Sequence, residues 1–477
     1  MKTPFLRIFR ILIAAIIFTG FFLLFVDLKN LIPPKYISAW VSLQFIPSFL
    51  KFYDLRTLLS AGFIAVLILT FLTGRTYCSF LCPLGIGQDI FTRIGGQIRK
   101  KFKRFGYKKP FTIIRYSLLA ITLIVTIVWG VYMLTLLDPY SIFGRFMTYF
   151  VKPVVILINN FIGGILYKFD IFTLDHMTIE GYRLLVYSVP AAFFILIGIL
   201  SLTKGRLYCN MICPVGTLLG LLSKISLFRI KIEESTCTRC GRCSIGCKSS
   251  CIDFLNYHVD VTRCVDCFNC IKICPEKAIS YGVVSFKKKA HKTDLNKRKF
   301  VAGSLALLLG SHRLMKGQDK NVPVPQREST VKENKTCPVC PPGGISIADF
   351  QEDCIACSLC ITVCPTGVLK PALMEYGITG IMQPVMNYHK GFCIYNCNKC
   401  TEVCPTNALH PLALEAKKLT QIGQVHFIID NCIVKNDKTA CGACAESCPT
   451  KAVYMIPYEG NLRIPETNPE ICIGCGR

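Results

Sequence analysis

Cys264-Val265-Asp266-Cys267-Phe268-Asn269-Cys270-Ile271-Lys272-Ile273-Cys274-Pro275 is the stretch that decides the reading of this chain. Three cysteines at every third position, then a fourth before proline, is the spacing of cubane iron–sulfur ligation. The first three thiolates wrap one cluster and the fourth reaches its neighbour. The run is not alone. Upstream stand Cys237, Cys240, Cys243 and Cys247. Downstream come Cys354, Cys357, Cys360 and Cys364-Pro365, then Cys393, Cys397, Cys400 and Cys404-Pro405. Cys432, Cys441, Cys444 and Cys448-Pro449 follow, and Cys472 and Cys475 begin a further run. Disulfide scaffolds are spaced irregularly, and a zinc ribbon does not repeat complete four-cysteine runs with a Cys-Pro step.

The usual exchange gives Cys274 to the Cys237, Cys240, Cys243 set and Cys247 to the Cys264, Cys267, Cys270 set. Cys247 precedes Lys248 rather than proline, so Cys251 competes with it as a ligand. In the later runs, adjacent and nested pairing of the fourth ligand both remain open. The count is two 4Fe-4S clusters in the first module and three to four in the second. The last run stops at Cys475, so the chain is expected to continue naturally beyond Arg477.

Working outward, 52% of the 477 residues are hydrophobic and the mean hydropathy is +0.45, too apolar for an ordinary soluble protein. The net charge of +26 does not point to nucleic acid, because Lys and Arg cluster beside apolar segments. Residues 11–26, 58–72, 116–137 and 184–203 read as four transmembrane helices. The loop with Arg93, Arg99, Lys100, Lys101, Lys103, Arg104, Lys108 and Lys109 marks the cytoplasmic side. A fifth apolar stretch, 153–167, contains Asn159, Asn160, Gly163 and Gly164 and reads as interfacial or re-entrant.

An internal repeat supports the even number of spans. Gly74-Arg75-Thr76-Tyr77-Cys78 to Cys82-Pro83-Leu84-Gly85 recurs as Gly205-Arg206-Leu207-Tyr208-Cys209 to Cys213-Pro214-Val215-Gly216, each copy directly after an apolar helix. Cysteines four apart share a helical face, so Cys78, Cys82, Cys209 and Cys213 are able to present four thiolates to one intramembrane centre. Buried structural thiols or a redox-active disulfide compete with that reading.

The fold expected is a polytopic α-helical membrane domain with two α+β, bacterial-type ferredoxin-like multi-cluster 4Fe-4S modules. Residues 1–230 are the four-helix membrane domain and 231–285 a cytoplasmic two-cluster ferredoxin. Residues 286–316 are a basic segment, where Asn296-Lys297-Arg298-Lys299-Phe300-Val301 looks like a twin-arginine signal or an anchor. Residues 317–350 are a linker, and 351–477 an exported multi-cluster module. Cys337 and Cys340 read as a local disulfide or unpaired thiols. No glycine fingerprint, P-loop, haem-attachment motif or hydrolase triad is present, so no substrate site is expected. Asp138 and Tyr140 are the candidates for contact with a quinone, against a simple helix-ending turn at Asp138-Pro139.

The first 285 residues resemble the NapH and MauN membrane polyferredoxins, marked by four transmembrane helices, two CxxxCP motifs and a cytoplasmic pair of 4Fe-4S clusters. The repeats at 74–85 and 205–216 carry that match. From Lys297 onward the chain resembles the exported NapG and MauM ferredoxins, through Pro341-Pro342-Gly343-Gly344, the segment 354–370, and Tyr395-Asn396-Cys397 to Cys404-Pro405-Thr406. The resemblance implies a fusion in the bacterial inner membrane with its C-terminal domain in the periplasm. It would oxidise quinol from the quinone pool and pass electrons to a periplasmic reductase or cytochrome, as a quinol dehydrogenase or electron-transfer subunit. The alternative is a NosR-like or cytochrome-oxidase-maturation-like redox protein that supports metal-centre assembly or regulation.

Overall fold

Uninterrupted apolar runs with few charges set the helices. The computed structural model describes residues 3–55, 62–98, 105–178, 184–283, 338–389, 391–423, 425 and 427–477. The twin-arginine-like segment, the linker up to residue 337 and Cys337 lie outside the described residues. Four helices among the described residues are long and apolar enough to cross a membrane: Phe5–Val26, Thr112–Trp129, Pro139–Tyr167 and Leu184–Lys204.

The membrane part reads in order α1 (Thr3–Val26), α2 (Pro34–Ser42), α3 (Phe45–Leu55), α4 (Gly62–Thr73), α5 (Tyr77–Phe80) and α6 (Pro83–Ile98). It continues as α7 (Thr112–Trp129), α8 (Tyr132–Leu137), α9 (Pro139–Phe146), a π-turn (Met147–Val151), α10 (Lys152–Tyr167), α11 (Leu184–Lys204) and α12 (Pro214–Leu222). Three expectations change. The span expected over 58–72 is α4, whose 12 described residues rise about 18 Å. The span expected over 116–137 breaks at Gly130, which takes a left-handed φ of 78° and ends α7. The stretch expected to be interfacial, 153–167, is the C-terminal half of a continuous 29-residue apolar helix. Its polar residues are satisfied by the chain that follows: Asn159 Nδ2 donates to the Asp175 carbonyl (3.0 Å), and Asn160 Nδ2 to that of Met177 (2.7 Å).

The sequence repeat is also a structural one. In each half a helix leads into the Gly-Arg-x-Tyr-Cys motif, and the motif tyrosine reaches the start of an earlier helix. Tyr77 donates to Gln44 Oε1 (3.0 Å) and accepts from the Phe45 N–H (3.3 Å) at the start of α3. Tyr208 donates to the Leu137 carbonyl (2.8 Å) just before α9. Asp138 caps α9 by accepting from the Ser141 N–H (2.8 Å), with Pro139 in the first turn where no N–H is needed. The core joins Phe21, Phe25 and Trp40 to Tyr140 and Phe143 through edge-on ring contacts.

Both cysteine-rich modules hold little sheet, less than the α+β description implies: the only ladders among the described residues are two-stranded. In the first module β1 (Phe228–Ile232) pairs antiparallel with β4 (Ile279–Val283), from Phe228 opposite Val283 to Ile232 opposite Ile279. Between them lie α13 (Arg242–Ile245), the short pair β2 (Ile252–Asp253) and β3 (His258–Val259), and α14 (Asn269–Ile273). In the second module β5 (Leu369–Pro371) pairs with β6 (Pro384–Met386), and β7 (Val453–Pro457) with β8 (Arg463–Thr467).

The two modules dock at opposite ends of α11. The first takes the motif ends: the Leu227 N–H donates to the Phe71 carbonyl (3.0 Å), the Arg206 N–H to that of Lys248 (2.9 Å), and Ser79 Oγ to that of Val265 (2.7 Å). The end of the basic loop joins them, with the Tyr107 N–H on Ser244 Oγ (3.0 Å) and Arg263 Nη1 on the Lys108 carbonyl (2.8 Å). The second module packs Ala356 and Met382 against Tyr149 and Val186 at the start of α11. Lys152 Nζ donates to the Thr362 carbonyl there (2.5 Å).

Candidate functional site

The loops expected to carry ligands share one backbone conformation. In Cys237–Cys243 the left-handed residues are Arg239 and Gly241; in Cys264–Cys270, Asp266 and Phe268; in Cys354–Cys360, Ala356 and Ser358. Each loop therefore turns left at the second and fourth positions after its first cysteine. For residues with a Cβ this costs roughly 1–2 kcal/mol apiece. The alternation turns successive N–H groups to one side, a concavity that suits an anion. Cys472-Ile473-Gly474-Cys475-Gly476 repeats the pattern with glycine at both places. The run from Cys393 lacks it, in keeping with its extra residue, and so does Cys441–Cys444.

A second signature marks the closing cysteine. The third residue after it is left-handed at Lys277, Gly367, Asn407 and Lys451, each behind a Cys-Pro step. Ser250 adopts the same conformation behind Cys247, although Lys248 replaces proline. Cys247 therefore keeps the backbone of a closing ligand. Cys251, almost fully buried, lies with its sulfur 3.5 Å from that of Cys247. The hydrogen bond from Cys251 draws the Cys247 thiol down to about 6 against the opposing effect of burial. Cys251 itself is pushed up.

Side chains then gather as sets. Cys237, Cys240, Cys243 and Cys274 line one cavity, the exchange expected from spacing. Cys354, Cys357, Cys360 and Cys404 line another, and Cys393, Cys397, Cys400 and Cys364 a third. In the second module the thiols thus gather by the same exchange between neighbouring runs, the last cysteine of each lying with the first three of the other. Cys247, Cys264 and Cys270 pack with Cys251 in one small core that Cys243 and Cys274 also touch, and Cys267 lies within electrostatic range of Cys270. Cys432 and Cys441 lie within electrostatic range of Cys444. Cys472 and Cys475 fold back on the second run: the Cys393 N–H donates to the Cys475 carbonyl (2.8 Å) and Tyr388 Oη to that of Gly474 (2.7 Å). Cys340 is half-buried beside Cys354 and Cys360, and burial pushes its thiol up to about 12.

The four motif cysteines come together at the centre of the membrane domain. Cys78, Cys82, Cys209 and Cys213 are all buried in one continuous core and lie within electrostatic range of one another. Their arrangement is not the shared helical face that the spacing suggests. Cys82 and Cys213 stand outside their short helices, immediately before Pro83 and Pro214. Their sulfurs accept the N–H groups of Gly85 (3.4 Å) and Gly216 (3.3 Å). These bonds aim both cysteines back at the opposite repeat.

Two residues given no role by the sequence reading hold the halves together. Arg75 Nη2 donates to the Cys209 carbonyl (3.0 Å), and Arg206 Nη1 to the Cys78 carbonyl (2.6 Å). Each repeat's arginine thus clamps the other repeat's cysteine, and both arginines are completely buried. Their matching place in both repeats was the available signal. The glycines are required: a Cβ on Gly85 would fall 2.2 Å from the Cys78 carbonyl oxygen, and one on Gly216 2.2 Å from that of Cys209.

Asp89 extends this network. It pairs with Arg10 (2.8 Å), with Arg206 (2.7 Å) and with Lys248 of the first module. The lysine that replaces the usual proline is therefore a buried link between module and membrane repeat. On the other side, the second module's first ligand loop presses on α8 and α9. Thr135 Oγ1 lies 3.5 Å from the Cys354 carbonyl, and Tyr149 Oη 3.1 Å from Ser358 Oγ. Asp138 and Tyr140 are fully buried here, between the motif tyrosines and this loop rather than on an open face. The Tyr140 hydroxyl has no hydrogen-bond partner among the described residues.

Comparison with known proteins follows the same map. A 4Fe-4S binding domain model matches residues 55–104 and 185–233, the segments with Cys78, Cys82, Cys209 and Cys213. A second 4Fe-4S binding domain model matches 348–370, which holds Cys354 to Cys364. The ferredoxin-type protein NapH of Haemophilus influenzae is 25% identical over 238 residues, 48% of this chain and 69% of NapH. The methylamine utilization ferredoxin-type protein MauN of Methylobacillus flagellatus is 22% identical over 214 residues, 45% of this chain and 53% of MauN. YccM of Escherichia coli is 25% identical over 217 residues, 44% of this chain and 52% of YccM. The chain spans about half the length of the last two relatives. No solved structure matches. By these motifs and matches, the chain is similar to the NapH/MauN-type polyferredoxins.

Proposed function

We propose that this protein carries electrons across a membrane, from a quinol to a periplasmic reductase or cytochrome, between a cytoplasmic two-cluster module and a periplasmic multi-cluster one. The observation that carries this is the convergence of Cys78, Cys82, Cys209 and Cys213 between two modules that dock at opposite ends of α11. Iron–sulfur clusters supply one-electron carriers whose potentials depend on ligand set, charge and burial.

The chain's own residues do the positioning. Cys237, Cys240, Cys243 and Cys274 would hold one cytoplasmic cluster, and Cys264, Cys267, Cys270 and Cys247 the other. Cys354, Cys357, Cys360 with Cys404, and Cys393, Cys397, Cys400 with Cys364, would hold two periplasmic ones. Cys432, Cys441, Cys444, Cys448, Cys472 and Cys475 would serve further clusters. The match of a 4Fe-4S domain to both membrane repeats supports an iron–sulfur centre on the four motif thiols, rather than a disulfide. Apolar packing around them by Phe21, Phe143, Val215 and Leu219 excludes water.

The test uses the full chain in lipid nanodiscs under anaerobic conditions. Added menaquinol reduces the second module's clusters, read by EPR, at a rate that Cys78→Ser abolishes. No reduction by menaquinol or ubiquinol overturns the quinol assignment. Reduction untouched by Cys78→Ser overturns the role of the membrane thiols.

A further inference from the structure

Buried cations exceed buried anions around the four motif thiols. Arg75, Arg206, Arg10 and Lys248 are buried there, and the carboxylate that answers them is Asp89, shared by the last three. Among the described residues the Arg75 guanidinium hydrogen-bonds to no carboxylate. Its guanidinium bonds go to Asn210 Oδ1 (3.0 Å), the Thr262 carbonyl (2.8 Å), the Cys209 carbonyl (3.0 Å) and Cys78 Sγ (3.7 Å). The nearby Asp266, also buried, accepts the Arg75 backbone N–H and lies within electrostatic range of the guanidinium without bonding to it. A fully buried guanidinium without a bonded anion is among the costliest groups a protein can hold. Arginine cannot escape by losing its proton.

Beyond Asp266, the source of negative charge that the guanidinium itself points at is the thiols. Arg75 Nη2 points at Cys78 Sγ and lies 2.8 Å from where a Gly216 Cβ would be, beside the N–H that bonds Cys213 Sγ. Arg206 Nη1 occupies the matching place at Gly85, 3.1 Å from its hypothetical Cβ, beside the N–H that bonds Cys82 Sγ. Neutral thiols or a disulfide would leave the guanidinium without a bonded anion. A tetrathiolate iron–sulfur centre is anionic and gains one further negative charge on reduction.

We infer that Arg75 and Arg206 are the paired counter-ions of a single anionic centre shared by the two repeats, and that they hold its reduction potential up. This rests on the relay reading given above. Because the two arginines face the centre from opposite repeats, each stabilises the reduced form more than the oxidised one. Removing either charge lowers the midpoint potential of that centre and leaves the module clusters unmoved.

The experiment is an EPR-monitored redox titration of the full chain in nanodiscs, poised with dithionite and mediators. The reporter is the signal that Cys78→Ser removes. Arg75→Gln and Arg206→Gln each shift its midpoint to lower potential, and Arg75→Lys shifts it less. Asn210→Asp, which sets a carboxylate against Arg75 without removing the arginine, also shifts it down and serves if the glutamine variants do not assemble. An unchanged midpoint in Arg75→Gln or in Asn210→Asp, with the signal intact, overturns the counter-ion role alone. If Cys78→Ser removes no signal, both this inference and the membrane-centre reading fail.

Discussion

Replacing Gly216 or Gly85 with alanine tests the close approach on which the four-thiol arrangement depends. A Cβ on Gly216 would lie 2.2 Å from the Cys209 carbonyl oxygen and 2.8 Å from Arg75 Nη2; on Gly85 it would lie 2.2 Å from the Cys78 oxygen and 3.1 Å from Arg206 Nη1. The obstructing oxygens belong to backbone and cannot swing aside. The turns must separate by about 1 Å, the regime in which overpacking costs roughly 1–3 kcal/mol. The separation also breaks the clamp between repeats and the N–H bond to Cys213 or Cys82. Gly198→Ala is the control. It sits within α11 with no atom within 4 Å of a new Cβ, and gains about 0.5–1 kcal/mol from helix propensity. Thermal unfolding in detergent and EPR of the reduced protein read both effects. Gly216→Ala and Gly85→Ala should unfold at lower temperature and lose the signal that depends on Cys78, with the module signals retained. A wild-type membrane signal in both alanine variants refutes the geometry.

Three further outcomes follow from the same structure. Cys247→Ser removes the first module's second cluster while Cys251→Ser keeps it, as counted by iron and acid-labile sulfide per chain and by EPR. The reverse result would assign the ligand to Cys251. Cys404→Ser abolishes the cluster of Cys354, Cys357 and Cys360 and spares that of Cys393, Cys397 and Cys400, while Cys364→Ser does the opposite; Mössbauer or EPR spectra of the two variants distinguish this exchange from ligation within each run. Asp89→Asn leaves Arg10, Arg206 and Lys248 buried without their shared carboxylate and costs about 3–5 kcal/mol. Asp430→Asn, which breaks the exposed pair of Asp430 with Lys435, should leave the unfolding temperature nearly unchanged, so equal thermal shifts would contradict the network's importance.

The ligand cysteines were legible because a cluster loop is local in sequence: three thiols and their turns lie within seven residues. Pairing of the fourth ligand was legible in the first module and not in the second. Cys404 reaches the Cys354 set through tertiary folding, which the irregular spacing after Cys393 does not encode. Hydropathy found apolar segments but misjudged where they break. The single left-handed Gly130 ends α7 within an otherwise continuous apolar run, and Pro139 and Pro153 sit in first turns instead of ending a span. The membrane cysteines were found by their repeat. Their convergence depends instead on proline-initiated helices and on glycine N–H groups. Lys248 looked like a defect in a cluster motif because its partner, Asp89, lies in a distant apolar helix. Arg75 and Arg206 were visible in both copies of the repeat, but only the reciprocal bonds give them meaning.

The most direct test of the central claim is electron passage between the modules. The full chain is placed in sealed vesicles in a single orientation, and a membrane-impermeant reductant is added on the side of the second module. Freeze-quenched EPR then follows the clusters held by Cys237 to Cys274 on the opposite side. The account predicts that these clusters become reduced in the wild type and stay oxidised in Cys78→Ser and Cys209→Ser, whose module clusters are otherwise intact. Equal reduction in wild type and both variants, or none in the wild type, would contradict it.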